Sequence, residues 1–212
     1  GPSAMIPAQV TIDTGALEGV TGTVHPTVRI FKGIPFAAPP VGENRWKAPQ
    51  AAAKWDGVFK ADAFGPSCIA NVPGAGRGGR GGGAPGRGGA PGAAPGAAAA
   101  APQAAPPAAP APPRQPPASE DCLTVNVWTN AANANARRPV MMWIYGGGFT
   151  GGSGGQAWYD GEDLANKGAV IVTMNYRLGQ FGFLAHPELA KEAGHSGSGN
   201  YGVMDAIAAL QW

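Results

Sequence analysis

The sequence predicts an α/β fold in which short antiparallel strands lead into a mostly parallel central sheet. Three observations carry this reading. Residues 9–13 and 28–34 alternate polar and apolar side chains, the period of a half-buried strand. Residues 139–145 and 169–174 are nearly continuous apolar runs on either side of a helix-length segment, the pattern of a βαβ unit whose strands are covered on both faces. The first of these runs, Met141-Met142-Trp143-Ile144-Tyr145, empties directly into Gly146-Gly147-Gly148-Phe149. A strand that ends this way presents main-chain N–H groups with no side chains in front of them.

Taken in order, Gln9-Val10-Thr11-Ile12-Asp13 is a strand and Thr14-Gly15 a tight turn. Residues 28–34 form a second strand, closed by Pro35 and Pro39-Pro40, since proline has no N–H for a ladder. Residues 41–67 read as irregular, with Trp46 and Trp55 packing on the sheet. Leu123-Thr124-Val125-Asn126-Val127-Trp128 is an alternating strand. Residues 161–167 can form a short helix. Asn200 can cap a last helix in which Val203, Met204, Ile207, Ala208 and Leu210 recur at helical spacing up to Gln211-Trp212.

Between these parts lies a different kind of sequence. Residues 71–118 are almost entirely Ala, Pro, Gly, Arg and Gln, with one Val, no aromatic residue and no acid. Such a stretch cannot bury enough apolar surface to offset the entropy of ordering it. About 160 residues remain, enough for one modest domain. The division expected is residues 1–5 as the scar of a cleaved expression tag, 6–70 as amino-terminal strands and loop, 71–118 as a disordered insertion, and 119–212 as the start of a core cut within a helix. Four arginines, Arg77, Arg80, Arg87 and Arg114, lie in the insertion, and taken from the net charge of +2 they leave −2 for the rest. A slightly acidic folded part argues against a nucleic-acid surface. No apolar run approaches a membrane span.

Bare N–H groups at a sheet's carboxyl end are suited to holding the negative oxygen that develops during acyl transfer. Other chemistries lack their residues. His25, His186 and His195 are isolated, no zinc-ligand spacing occurs, and the glycine loop has no lysine for phosphate, so no metal and no cofactor is expected. Gly151-Gly152-Ser153-Gly154-Gly155 satisfies the G-x-S-x-G pattern of a nucleophile elbow. It follows a glycine loop rather than a strand, and Gln156-Ala157-Trp158 starts a helix poorly, so it reads as a chance match. The Arg-Gly-Gly steps at Arg77, Arg80 and Arg87 admit an RNA-binding reading, but no aromatic residue is present for stacking, and a solubilised loop expansion accounts for them. Cys68 and Cys122 allow a bridge without requiring one.

Six segments in order resemble the amino-terminal portion of a type-B carboxylesterase, the α/β-hydrolase family that includes the cholinesterases. They are Phe31-Lys32-Gly33-Ile34-Pro35-Phe36-Ala37, Glu43-Asn44-Arg45-Trp46-Lys47-Ala48-Pro49, Ser119-Glu120-Asp121-Cys122-Leu123-Thr124-Val125-Asn126-Val127, Trp143-Ile144-Tyr145-Gly146-Gly147-Gly148-Phe149, residues 175–184 from Asn175-Tyr176-Arg177, and Gly199-Asn200-Tyr201-Gly202-Val203-Met204-Asp205. The resemblance implies the amino-terminal part of an α/β-hydrolase fold, incomplete in this chain. It implies that Gly147 and Gly148, with Gly146 beside them, line an oxyanion hole. It implies a Cys68–Cys122 disulfide, hence a secreted or periplasmic protein, and structural ion pairs Arg45–Glu120 and Arg177–Asp205. The substrate implied is a small carboxylic ester. The nucleophilic Ser, the acid and the His of the family lie beyond Trp212, so the 212 residues alone are expected to be inactive and to work with the remainder of the polypeptide or a second chain of a nicked protein. Where the general pattern of this loop has His, the chain has Tyr145, as cholinesterases do. Residues 69–121 contain no aromatic residue, which speaks against a choline-binding site. The alternative function is a non-catalytic, esterase-like binding or adhesion module, and the continuation of the chain distinguishes the two.

Overall fold

The computed structural model describes residues 5–70, 117–194 and 198–212. Most of the expected insertion, His195 and residues 1–4 therefore lie outside the described residues. Strands β1 (Gln9–Ile12) and β2 (Gly15–Glu18) form a hairpin around the expected Thr14-Gly15 turn, and β5 (Val58–Lys60) joins β2 in parallel, making a three-stranded sheet. Trp55 donates its indole N–H to the Ala16 carbonyl and packs on Phe59 with ring centroids 5.4 Å apart.

The main sheet has five strands in the order β3 (Val20–Thr21), β4 (Arg29–Pro35), β6 (Thr124–Thr129), β8 (Val170–Met174), β7 (Val140–Trp143). The sheet is mixed. The pairs from β3 through β8 are antiparallel, and β8–β7 is parallel. Helix α1 (Glu162–Asn166) lies in the crossover between β7 and β8, so the expected βαβ unit is present. Gly33, at φ +67°, makes the bulge where β4 shifts register against β6. Its N–H donates to the Asn126 side chain, which in turn donates to Thr173. Polar side chains thus cross the sheet with their hydrogen bonds met, while Ile34, Leu123, Val125, Met174 and Leu178 fill the core around them.

The strand expected to be covered on both faces, residues 139–145, is instead the sheet's outer strand. Val140 is 65% and Met141 54% exposed. Met142 packs on the core and Trp143 meets Tyr159 with ring centroids 5.3 Å apart, but Val140 and Met141 stand open among the described residues. Helices α2 (Gly179–Phe183), α3 (Pro187–Glu192) and α4 (Tyr201–Gln211) follow β8. Asn200 stands at the head of α4, but its side chain makes no capping bond. The expected helix is formed; of its helically spaced apolar residues Val203, Ile207 and Leu210 are exposed, whereas Tyr201, Gly202, Asp205 and Ala209 are buried. A buried ion pair, described below, lies on the inward face of this helix. Trp46 also differs from expectation, donating to the Gln180 carbonyl in α2 rather than packing on the sheet.

The carboxylate of Glu162, at the start of α1, is buried and accepts from three successive main-chain N–H groups, those of Thr23, Val24 and His25. This clasps the loop after β3 to the crossover helix.

Candidate active site

The carboxyl end of β7 runs through Ile144 and Tyr145 into the glycine triplet. Gly147 has φ +131° and Gly148 φ +59°, conformations that side chains oppose. Phe149 continues at φ +62°, a position a bulky residue adopts only when its surroundings hold it there. Its carbonyl accepts from the Gly179 N–H at 2.7 Å, and its ring stands 4.6 Å from that of Phe183. Among the described residues, the N–H groups of Gly146, Gly147 and Gly148 have no hydrogen-bond acceptor. All three glycines are exposed, so their N–H groups are open to water or to a substrate oxygen.

The triplet lines a cavity of about 340 Å3 whose other walls are chiefly apolar, among them Tyr145, Tyr176, Phe149, Phe183 and Val203. A second hollow of about 480 Å3 adjoins it across Phe149 and Phe183. Elsewhere, a space of about 490 Å3 lies between residues 46–48 and α3. Its charged side chains are spent on each other, Lys47 lying 3.6 Å from Glu192. Chemistry therefore points to the glycine cavity.

Around the cavity the scaffold is tied at several points. Tyr145 and Tyr176 stack with ring centroids 4.6 Å apart and exchange bonds with each other's main chain: Tyr145 OH donates to Tyr176 O at 3.3 Å, and Tyr176 OH to Tyr145 O at 3.0 Å. Burial pushes both phenols above their ordinary value. Arg177, next in sequence, donates from Nε and Nη2 to the two oxygens of the fully buried Asp205, and its N–H adds a third bond to Oδ2 at 3.0 Å. Arg45 and Glu120 form a second fork at 2.6 and 2.8 Å. That hydrogen bond first, and the charge behind it second, raises the Arg45 guanidinium further above its usual value. The Cys68–Cys122 disulfide is formed, with Cα atoms 5.1 Å apart.

Ser153 is 4% exposed. Its hydroxyl donates to Asn175 Oδ1 and accepts from the Gly155 N–H. It is a buried part of the turn, not a nucleophile at a strand end. His25 pairs with Asp163 at 2.6 Å, and His186 Nδ1 accepts from the Glu188 N–H at the head of α3. Neither lies at the glycine cavity. Among the described residues no cluster of His, Cys, Asp and Glu could hold a metal, and no helix is long and apolar enough to cross a membrane.

Sequence reasoning found the triplet but not its supports. Tyr176 was carried only as part of the resemblance, and Thr150, which donates to Gly147 O from both N at 3.1 Å and Oγ1 at 3.0 Å, was not singled out. A tyrosine two residues past a buried strand is a usable signal. A threonine in a glycine-rich loop is not.

The sequence profile described as the carboxylesterase family matches residues 6–212. This chain belongs to the carboxylesterase family. Among curated relatives it is 42% identical over 199 residues to the fumonisin B1 esterase of Sphingopyxis macrogoltabida, a match covering 94% of this chain and 30% of that protein. It is 35% identical over 205 residues to the cholinesterase of Mus musculus, covering 96% and 28% respectively. Among solved structures, a carboxylesterase of Geobacillus stearothermophilus superposes with TM-score 0.69 at 32% identity, over 97% of this chain and 33% of that one. The carboxylesterase chain thus has the α/β-hydrolase fold over a stretch that spans about a third of the length of the relatives it matches.

Proposed function

We propose that this carboxylesterase chain supplies the oxyanion-hole half of a serine esterase acting on small carboxylic esters. The observation that carries the reading is the triplet itself: three consecutive main-chain N–H groups without acceptors among the described residues, lining a largely apolar cavity. In the mechanism, a Ser elsewhere in the protein attacks the ester carbonyl, and a His takes its proton and returns it to the leaving alcohol. The carbonyl oxygen gains charge and accepts from Gly147 and Gly148, with Gly146 adjacent. Such donors are stronger at the transition state than at the ground state, and each is worth roughly 3–4 kcal/mol. The apolar walls take up the ester's hydrocarbon parts. No metal or cofactor is required for this reaction class.

The partner of the triplet is the remainder of the protein. The exposed strand β7, with Val140 and Met141 open, and the exposed Val203, Ile207 and Leu210 of α4 are the surfaces it would cover. A formed disulfide supports a secreted or periplasmic location, since such bonds persist in oxidising compartments.

The test is hydrolysis of p-nitrophenyl acetate by the complete protein and by the 212-residue chain. The complete protein is expected to turn over substrate and to be stopped by one equivalent of a serine-directed fluorophosphonate, while the isolated chain does neither. A complete protein that neither turns over nor takes up the reagent would sink the esterase reading in favour of a non-catalytic binding module.

A further inference from the structure

The planarity of the peptide unit links features on opposite sides of the glycine loop. Within one trans peptide, C=O and N–H point in opposite directions and cannot turn independently. Whatever holds a carbonyl therefore aims the N–H behind it. The carbonyl of Tyr145 belongs to the peptide that carries the Gly146 N–H, and it accepts from the buried Tyr176 hydroxyl at 3.0 Å. The carbonyl of Gly147 belongs to the peptide that carries the Gly148 N–H, and it accepts from Thr150 twice, from Oγ1 at 3.0 Å and from N at 3.1 Å. A third carbonyl, that of Phe149, is held by the Gly179 N–H at 2.7 Å. The Tyr145–Gly146 and Gly147–Gly148 peptides are thus gripped from behind while their N–H groups are left unmet, and the Phe149–Thr150 peptide spends its N–H on Gly147 O.

We propose that the hydroxyls of Thr150 and Tyr176 are positioning residues of the oxyanion hole, fixing the Gly148 and Gly146 peptide planes so that their N–H groups are aimed before substrate arrives. The inference rests on the esterase reading above and deepens it. Three glycines in a row have the least intrinsic conformational restraint of any tripeptide. Oxyanion stabilisation depends on donors that need no reorganisation during the reaction. The loop's own residues cannot supply that restraint, so it must come from outside the triplet. Tyr176 is in turn immobilised: its ring stacks on Tyr145, its carbonyl accepts from Tyr145 OH, and the N–H of its own peptide with Arg177 is bonded to Asp205. Thr150 is exposed and touches the loop through two bonds to a single carbonyl. Its hydroxyl can be removed without disturbing the core.

The experiment compares Thr150→Val, Thr150→Ser and Tyr176→Phe with the wild type in the complete esterase, using p-nitrophenyl acetate and an aryl trifluoromethyl ketone that forms a tetrahedral adduct. Thr150→Val and Tyr176→Phe are expected to lower kcat about tenfold with KM within about twofold, part of the roughly hundredfold loss that follows removal of a whole donor. Affinity for the ketone should fall in parallel. Thr150→Ser, which keeps the hydroxyl, should return kcat to within about twofold of wild type. A kcat unchanged in both variants, or a Thr150→Val loss that Thr150→Ser does not recover, overturns the proposal while leaving the esterase reading standing. If Tyr176→Phe lowers only the melting temperature, Tyr176 is structural and its part is overturned. A wild-type protein that does not turn over removes the esterase reading and this inference with it.

Discussion

Gly147 and Gly148 are adjacent and chemically identical, yet their surroundings treat a side chain differently. A Cβ built on Gly147 would collide with the Gly151 carbonyl, whereas one on Gly148 meets nothing within 4 Å. Both sit at positive φ, which costs an L-residue about 1–2 kcal/mol. Gly148→Ala should therefore lower unfolding free energy by about 1 kcal/mol, and Gly147→Ala by distinctly more, since the 151 turn must also move. Urea denaturation of the two variants reads the difference, and equal losses would show that the 147–151 approach is not tight. Tyr145 gives a pH signature. Burial raises its phenol above the ordinary value of 10.0, and the bond to Tyr176 O only partly opposes this. The folded state then holds the proton more tightly than the unfolded one. By linkage, stability is unaffected by this group below about pH 10 and falls as pH rises beyond it. The melting temperature of Tyr145→Phe should decline less than that of wild type between pH 10 and 11.

Between elements, the strongest tie is α4 to the segment after β8. Asp205 is fully buried and takes three bonds from Arg177. Among the described residues Arg177 Nη1 is buried with no hydrogen-bond partner, so this guanidinium depends for its charge on Asp205 and on the Tyr201 ring 5.5 Å away. Removing one partner of a buried pair typically costs 3–5 kcal/mol. Asp205→Asn should lose about that much in chemical denaturation and loosen α4, which bears Val203 of the cavity wall. A loss below about 1 kcal/mol would mean that the pair is not what places the helix. The helical spacing read from the sequence is present in α4. Val203, Ile207 and Leu210 recur at that spacing on the exposed face, while Asp205 faces inward to Arg177.

At the scale of the whole molecule, what could be read in advance was what local chemistry dictates. The strands of residues 9–13, 28–34, 123–128 and 169–174 were visible as alternation or as β-branched runs, and all lie within one or two residues of their observed ends. The glycine triplet was visible because nothing else in the chain abandons side chains at a strand's end. The disulfide and the two ion pairs were named only through family resemblance, since neither spacing nor charge singles out Cys68 with Cys122 or Arg177 with Asp205. The short strands β3 and β5 and the helices α2 and α3 carried too little period to be seen. The exposure of β7 was invisible for a different reason. An apolar run records what a strand is able to pack against, not whether that neighbour stands within the same stretch of chain. Likewise the grip of Thr150 on Gly147 depends on a turn that no pattern announces.

Strand β7 also bears on order in time. If residues 1–212 open a protein of the relatives' length, about twice as much chain again has still to be made when they leave the ribosome. At roughly 5–20 residues per second, that leaves the rim of the nascent sheet, with its unspent N–H and C=O groups, waiting on the order of tens of seconds. During that interval a neighbouring copy is as good a ladder partner as the missing one. Slow translation just past the α4 codons would then favour clumping over assembly, and a holding chaperone would find its grip along Val140, Met141 and Trp143.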